Sequence, residues 1–250
     1  MTRLGRSWVV IVAAVACVAF VAAAPPTARA SGLYPVGRSI GYDVSWPNCG
    51  SRPPAHQFAV VGVTGGHPFS ANPCLAAEFA IARRPATTQL YLNITAPVAS
   101  HAAMGRTGPA GTCSSVQQLC RAYNYGYNAA REARAYAVRR LGDAAVRTTW
   151  WLDVELGFGW SSSTAVNARA IAGALAYLRG RHLATGIYST TFQWRTIAGR
   201  YRPGSTIWYA TVSRSAIAAR RHCSTASSFT GGPVRMVQYA PGGLDADVIC

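Results

Sequence analysis

The sequence predicts an α/β fold, an irregular (β/α) TIM-like barrel formed by a single domain. Three observations carry that expectation. Seven short apolar runs recur along the chain, helical patterns lie between several of them, and five of the eight acidic residues fall within or at the ends of the predicted strands. Strand–helix alternation gives a mostly parallel sheet, either open or closed. Buried strands normally exclude carboxylates, and acids collected at strand ends are how a barrel builds a site on one face.

The seven runs are SIGYDVSW (39–46), FAVVGVTG (58–65), TQLYLNIT (88–95), TTWWLDVEL (148–156), ATGIYST (184–190), STIWYATV (205–212) and VRMVQYA (234–240). Most do not alternate polar with apolar residues, as expected when both faces of a strand are covered. No Gly-x-Gly-x-x-Gly turn follows the first run, which argues against a dinucleotide-binding sheet.

Helical patterns fill the gaps. NPCLAAEFAIARR follows the second run, and YNYGYNAAREARAYAVRRLG ends in a basic turn and glycine, a stop signal. SSSTAVNARAIAGALAYLRG opens with capping hydroxyls and closes at Gly180, with Val166, Ala170, Ile171, Ala174, Tyr177 and Leu178 on one stripe. Tyr123, Tyr125 and Tyr127 either rim a groove or pack under a loop.

The chain of 250 residues divides into a signal segment, 1–30, and one barrel domain, 31–250. Two arginines, an apolar run of about 18 residues and an Ala-x-Ala pattern ending at Ala30 form a secretory signal, with the mature chain starting near Ser31. The apolar run is also long enough for an uncleaved anchor. Cys17 leaves with the signal. The six remaining cysteines allow 15 pairings in an exported chain; proximity favours Cys113 with Cys120, leaving Cys49 with Cys74 and Cys223 with Cys250.

Net charge is +16, every basic residue is arginine, and removing Arg3, Arg6 and Arg29 leaves +13. Such a surface favours anionic polymers. The arginines are dispersed, so no nucleic-acid footprint stands out. His56, His67, His101, His182 and His222 show no paired metal spacing, and none of the cysteines forms Cys-x-x-Cys; neither metal nor cofactor is expected. The NIT sequon at 93–95 lies in a predicted strand and is read as chance.

The acids carry the chemistry. Glu78, Glu132 and Asp143 sit in or beside helical patterns and are expected to be solvated. Asp43, Asp153, Glu155, Asp245 and Asp247 are the candidates. On a strand, Asp153 and Glu155 share a face. Two carboxyls crowded in an apolar setting cannot both ionise cheaply, so one keeps its proton. One acid to donate and one carboxylate to stabilise positive charge is what glycoside hydrolysis needs. Trp150, Trp151, Phe158 and Trp160 are candidate walls of a sugar cleft.

These motifs, in this order, resemble glycoside hydrolase family 25, the secreted N-acetylmuramidases, and related actinobacterial glycoside-hydrolase-like domains. GYDVSW is similar to the family's first-strand motif, WLDVE to its Asp-x-Glu, GIYS and IWYATV to its fifth and sixth strands, and MVQYAPGGLDADV to its closing segment. The resemblance implies a somewhat flattened barrel with a groove at the strands' C-terminal end. It implies Glu155 as general acid, Asp153 either orienting the substrate acetamido group or supporting the oxocarbenium-like transition state, and Asp43 and Asp247 completing the acidic floor. Asp245 is the alternative to Asp247 and, with Trp46, Tyr188, Trp208 and Gln238, is placed among the substrate contacts. Departures lie in VTGGHPFS, which lacks the family's lysine and glutamate, in LYLNIT, and in SWPNCG.

The expectation is a secreted or cell-wall-associated monomer that cleaves β-1,4 bonds of peptidoglycan, with a polysaccharide partner and neither nucleic acid nor stable membrane insertion. The alternative is a wall-glycan-binding barrel without turnover.

Overall fold

In the computed structural model, residues 39–81, 87–97 and 99–250 are described. The signal segment predicted over 1–30, and the mature start near Ser31, lie outside them. The strands are β1 (Ile40–Val44), β2 (Phe58–Gly62), β3 (Gln89–Asn93), a small hairpin of β4 (Thr107–Gly108) and β5 (Gly111–Thr112), β6 (Trp150–Asp153), β7 (Thr185–Ser189), β8 (Thr206–Ala210), β9 (Val234–Tyr239) and β10 (Ala246–Ile249). The helices are α1 (Leu75–Ile81), α2 (Gln118–Leu141), α3 (Thr164–Gly180), α4 (Thr191–Ala198) and α5 (Ala216–Ala219).

Eight strands close a barrel in the order β1-β10-β9-β8-β7-β6-β3-β2. All neighbours are parallel except β10, which runs antiparallel to both β1 and β9. All seven apolar runs are barrel strands. The eighth, β10, is too short and too close to β9 to stand out as a run of its own. Because it runs backwards, and because β1 passes to β2 without an α-helix, the barrel departs from a regular eightfold (β/α) repeat.

Alternation along the strands sorts the side chains. On β6, Trp150 and Leu152 face the helices with Ile171, Ala174 and Leu178 of α3, while Trp151 faces the barrel interior with Phe58, Val60, Trp208 and Met236. The interior is tight. A Cβ at Gly186 would lie 2.0 Å from the Trp151 ring, and one at Gly41 would lie 2.3 Å from that of Phe58. These glycines leave room for rings that fill the lower barrel.

Helix starts follow their caps. Ser163 accepts from Val166 N, Thr190 from Gln193 N and Ser215 from Ala218 N. α2 stops at Gly142, whose φ is +58°. It begins earlier than the tyrosine-rich pattern shows, and the Cys113–Cys120 disulfide reaches its first turn. α2 and α3 meet at glycines: a Cβ on Gly126 would lie 1.8 Å from Ala170 O, and one on Gly173 would lie 2.0 Å from Tyr123 O. The tyrosine cluster is packing. Tyr125 is buried edge-on against Phe69, and Tyr127 packs edge-on against Tyr177.

The expected pairings Cys49–Cys74, Cys113–Cys120 and Cys223–Cys250 all form, and three disulfides fit an extracellular, oxidising compartment. No helix among the described residues is long and apolar enough to cross a membrane. One acid departs from expectation. Glu78 is buried, not solvated; Asn72 Nδ2 donates to its Oε2 at 2.6 Å, and burial pushes its carboxyl upward. It lies on the face of α1 that carries Leu75 and Phe79 inward.

Candidate active site

The inward-facing positions at the upper rim of the barrel are polar. Asp43 comes from β1, Asn93 from β3, Asp153 from the last position of β6 and Gln238 from β9, and all line one cavity of about 280 Å³. Glu155, two residues beyond Asp153, lines the same cavity, as do Tyr188 of β7 and Asp245. The shared face expected for Asp153 and Glu155 is therefore present. Trp46 is half exposed at the mouth, beside Gly66.

Asp247 is the exception. Its side chain has no exposed surface and does not line the cavity. β10 runs against its neighbours, so its second residue reaches the same rim from behind, opposite Gly41 and Gln238. Trp208 Nε1 donates to Asp247 Oδ1 at 2.7 Å. The position expected to face substrate is instead a buried support behind Asp43, while Asp245 stands exposed at the rim and its backbone carbonyl accepts from Asp43 N.

The aromatic walls also need correction. Trp150 and Trp151 are wholly buried, the first donating to Ala145 O and the second to Gln89 Oε1. Trp160 donates to Glu155 O and so fixes the turn carrying that acid. Trp208 is 2 % exposed and forms the cavity floor, tilted against Tyr188 at 4.4 Å, rather than offering a free ring face. Phe158 and Trp46 are the aromatic residues of the mouth.

Two hydrogen-bond chains each end on one of the acids. In one, Tyr188 donates to Gln238 Oε1 at 2.7 Å, and Gln238 Nε2 donates to Asp43 Oδ2 at 3.0 Å. In the other, Thr64 Oγ1 donates to Asn93 Oδ1 at 2.6 Å, and Asn93 Nδ2 donates to Asp153 Oδ2 at 2.5 Å. Thr64 and Asn93 are the site residues that sequence reasoning missed. Asn93 is buried in the wall of the cavity. The available signal was a pair of polar residues at the upper ends of two otherwise apolar strands.

Electrostatics follow depth. Burial holds Asp153 well above the usual carboxylate range, reinforced by the charges of Glu155 and Asp43 and opposed by Asn93. Burial likewise raises Asp247, with Asp43 adding to it. Among the described residues no N–H donor reaches Asp153 Oδ1 or Asp247 Oδ2, and the Asp43 and Asp247 carboxyls lie close enough to share a hydrogen bond, which favours the proton on Asp247. Asp43 is pushed up to about 7 by burial, against the stabilising Gln238 hydrogen bond. Glu155 is raised by burial, while Gln193 Nε2 at 3.4 Å and the Tyr188 hydroxyl favour its charged form. The cavity therefore holds protons that a solvated carboxylate cluster would lose by neutral pH. Among the described residues no three His, Cys, Asp or Glu side chains are grouped to hold a metal ion.

The mouth of the barrel holds carboxylates, one partly exposed and one deeply set at the end of the same strand. Residues 116–230 match the family model Lysozyme-like protein 1. That span holds Asp153, Glu155 and Tyr188, but neither Asp43 nor Asp247. Among solved structures the fold is similar to a muramidase from Trichobolus zukalii, with 17% identity, 84% of this chain and 93% of that one covered and a TM-score of 0.53. It is also similar to a family GH25 lysozyme from Aspergillus fumigatus, with 15% identity, 86% and 94% covered and a TM-score of 0.52. A third is the modular Cpl-1 endolysin complexed with a peptidoglycan analogue, with 12% identity, 86% and 55% covered and a TM-score of 0.50. No curated protein sequence matches the chain. At these identities the likeness establishes the fold alone: the barrel is similar to those of the muramidase and the family GH25 lysozyme.

Proposed function

We propose that the protein is a secreted glycoside hydrolase that cleaves β-1,4 bonds of bacterial peptidoglycan, with Glu155 as general acid. One observation carries the reading: Asp153 and Glu155 stand on one strand end in a single cavity, the first deep and the second at the mouth. Glu155 is raised by burial yet open to the cavity, so it can hold a proton and deliver it to a leaving glycosidic oxygen. Asp153 orients the substrate acetamido group through Oδ1, the oxygen that Asn93 leaves free. Asp43, when ionised, stabilises the positive charge that develops at the anomeric carbon. Asp247 acts through Asp43. Trp46 and Phe158 supply apolar surface at the mouth for pyranose faces.

The lysozyme-type fold and the fold's occurrence in a protein crystallised with a peptidoglycan analogue support the substrate class. The disulfides support secretion, with the signal at 1–30 cleaved near Ser31.

Turbidity clearing of purified cell walls tests the reading. Native protein clears the suspension, and Glu155→Gln loses about 10²–10⁴-fold in rate while still sedimenting with the walls. Equal behaviour of the two proteins ends the hydrolase reading. It would leave a glycan-binding barrel, which the stretch Thr64–Gly66 favours, because it lacks the lysine and glutamate that the resemblance leads one to expect.

A further inference from the structure

Two more cavities continue from the acidic one. The first, about 710 Å³, shares Glu155, Tyr188 and Gln238 with it and is walled by the apolar groups of Phe192, Ala210 and Val212. Phe192 and Val212 are exposed. The second, about 1060 Å³, shares Thr191 and Arg195 with the first and adds Arg200 and Arg202. No acidic residue lines it. Thr191 opens α4, Arg195 lies one turn on, and Arg200 and Arg202 follow the helix, so the arginines track α4 away from the mouth.

These three arginines are exposed, and their guanidinium groups make no hydrogen bond or ion pair among the described residues, where the one ion pair is Arg147–Asp143. Guanidinium groups left without acceptors along a groove suit carboxylates or phosphates, which they grip in pairs of hydrogen bonds.

We propose that this arginine-lined groove binds the carboxylates of the short peptide carried by the glycan strand, so that the protein selects peptide-substituted wall over bare glycan. The proposal rests on the peptidoglycan reading of the acidic site, which supplies the strand to which the peptide is attached. The path leaves the acidic cavity past Phe192, Ala210 and Val212 and meets one guanidinium, that of Arg195, before the pair Arg200 and Arg202. That order matches a peptide with small apolar side chains and outer carboxylates. A phosphodiester chain would carry charge along its whole length, whereas the arginines gather toward the far end of the path. Length also fits. The eight residues of α4 rise about 12 Å, and four extended residues span about 13 Å.

Calorimetric titration of the intact protein decides it. The probes are a wall disaccharide bearing a tetrapeptide with free carboxylates, the same compound with its carboxylates amidated, the disaccharide alone, and a polyphosphate chain. The variants are Arg202→Gln and the triple Arg195→Gln/Arg200→Gln/Arg202→Gln, with unfolding midpoints checked for each. The free-carboxylate peptide binds native protein about tenfold tighter than the bare disaccharide. Amidation and the triple substitution each remove that gain, Arg202→Gln removes part of it, and bare disaccharide binds all proteins equally. A peptide that adds no affinity, a gain that survives in the triple variant, or arginine-dependent binding of polyphosphate alone overturns the proposal. Wall clearing measured in parallel separates the two readings. Arginine-dependent peptide affinity without clearing sinks the hydrolase and spares the groove; clearing without that affinity does the reverse.

Discussion

Trp208 donates its indole N–H to Asp247 at 2.7 Å, beneath a cavity that Asp247 itself never reaches. The carboxyl is thus held where charge is hardest to solvate, and burial raises its proton affinity well above that of a free aspartate. An amide should replace a neutral carboxyl there. Asp247→Asn is expected to be at least as stable as native protein at pH 7, because the unfolded Asp247 is ionised and must take up a proton to fold. Trp208→Phe, which strips the donor from a buried carboxyl, should lose about 1–3 kcal/mol. Urea unfolding of both variants checks the pair; a destabilised Asp247→Asn with an unaffected Trp208→Phe would contradict it.

Stability should fall as pH rises through neutrality. Asp43 is raised from 3.8 to about 7, so between those values the folded state binds a proton that the unfolded chain releases. Its contribution is complete below pH 3.8 and disappears as pH climbs through about 7. Asp153 and Asp247 are raised as well and act in the same direction. Thermal melts across that range should show a declining midpoint, flatter in Asp43→Asn.

Gln193 sets the proton affinity of Glu155 from outside the cavity. Its amide favours the charged form. In Gln193→Ala the acid should keep its proton to higher pH, so the alkaline limb of the wall-clearing profile moves upward. Gln193 also bonds Leu156 N at 2.5 Å, so a merely structural role would lower the rate at all pH values without displacing the limb.

Asn93 links Thr64 to Asp153, and Asn93→Ala strands two buried groups at once. A loss of about 2–3 kcal/mol is expected, with Thr64→Val losing less. Chemical denaturation of the two variants measures the difference.

Gly126 and Gly173 allow α2 and α3 to touch backbone to backbone. Alanine usually stabilises a helix, yet here its methyl group meets a carbonyl. Gly173→Ala should lower stability by about 1–3 kcal/mol or more, read from the melting temperature.

The barrel was legible because its strands are covered on both faces and stand out as apolar runs. The acids were legible because Asp43, Asp153 and Glu155 interrupt those runs. Asp247 was misplaced for the same reason: a sequence shows that an acid sits in a strand, but not whether the strand runs forward or back, and direction decides how deep that acid lies. Trp150 and Trp151 were read as cleft walls because their neighbours are acids. Alternation instead sends one ring to the helices and the other into the lower barrel. The short helix α4 went unread because its eight residues hold little more than two turns of pattern.

The reversed strand β10 has a consequence for when the molecule becomes competent. It supplies two of the barrel's seams, one with β1 and one with β9, and delivers Asp247 behind Asp43. Of the barrel strands it is the last to be synthesised and the last to be threaded through any export channel. Until residues 246–249 arrive, β1 and β9 are raw edges and nothing stands behind Asp43. The cylinder can therefore seal only after the whole of the barrel has been made.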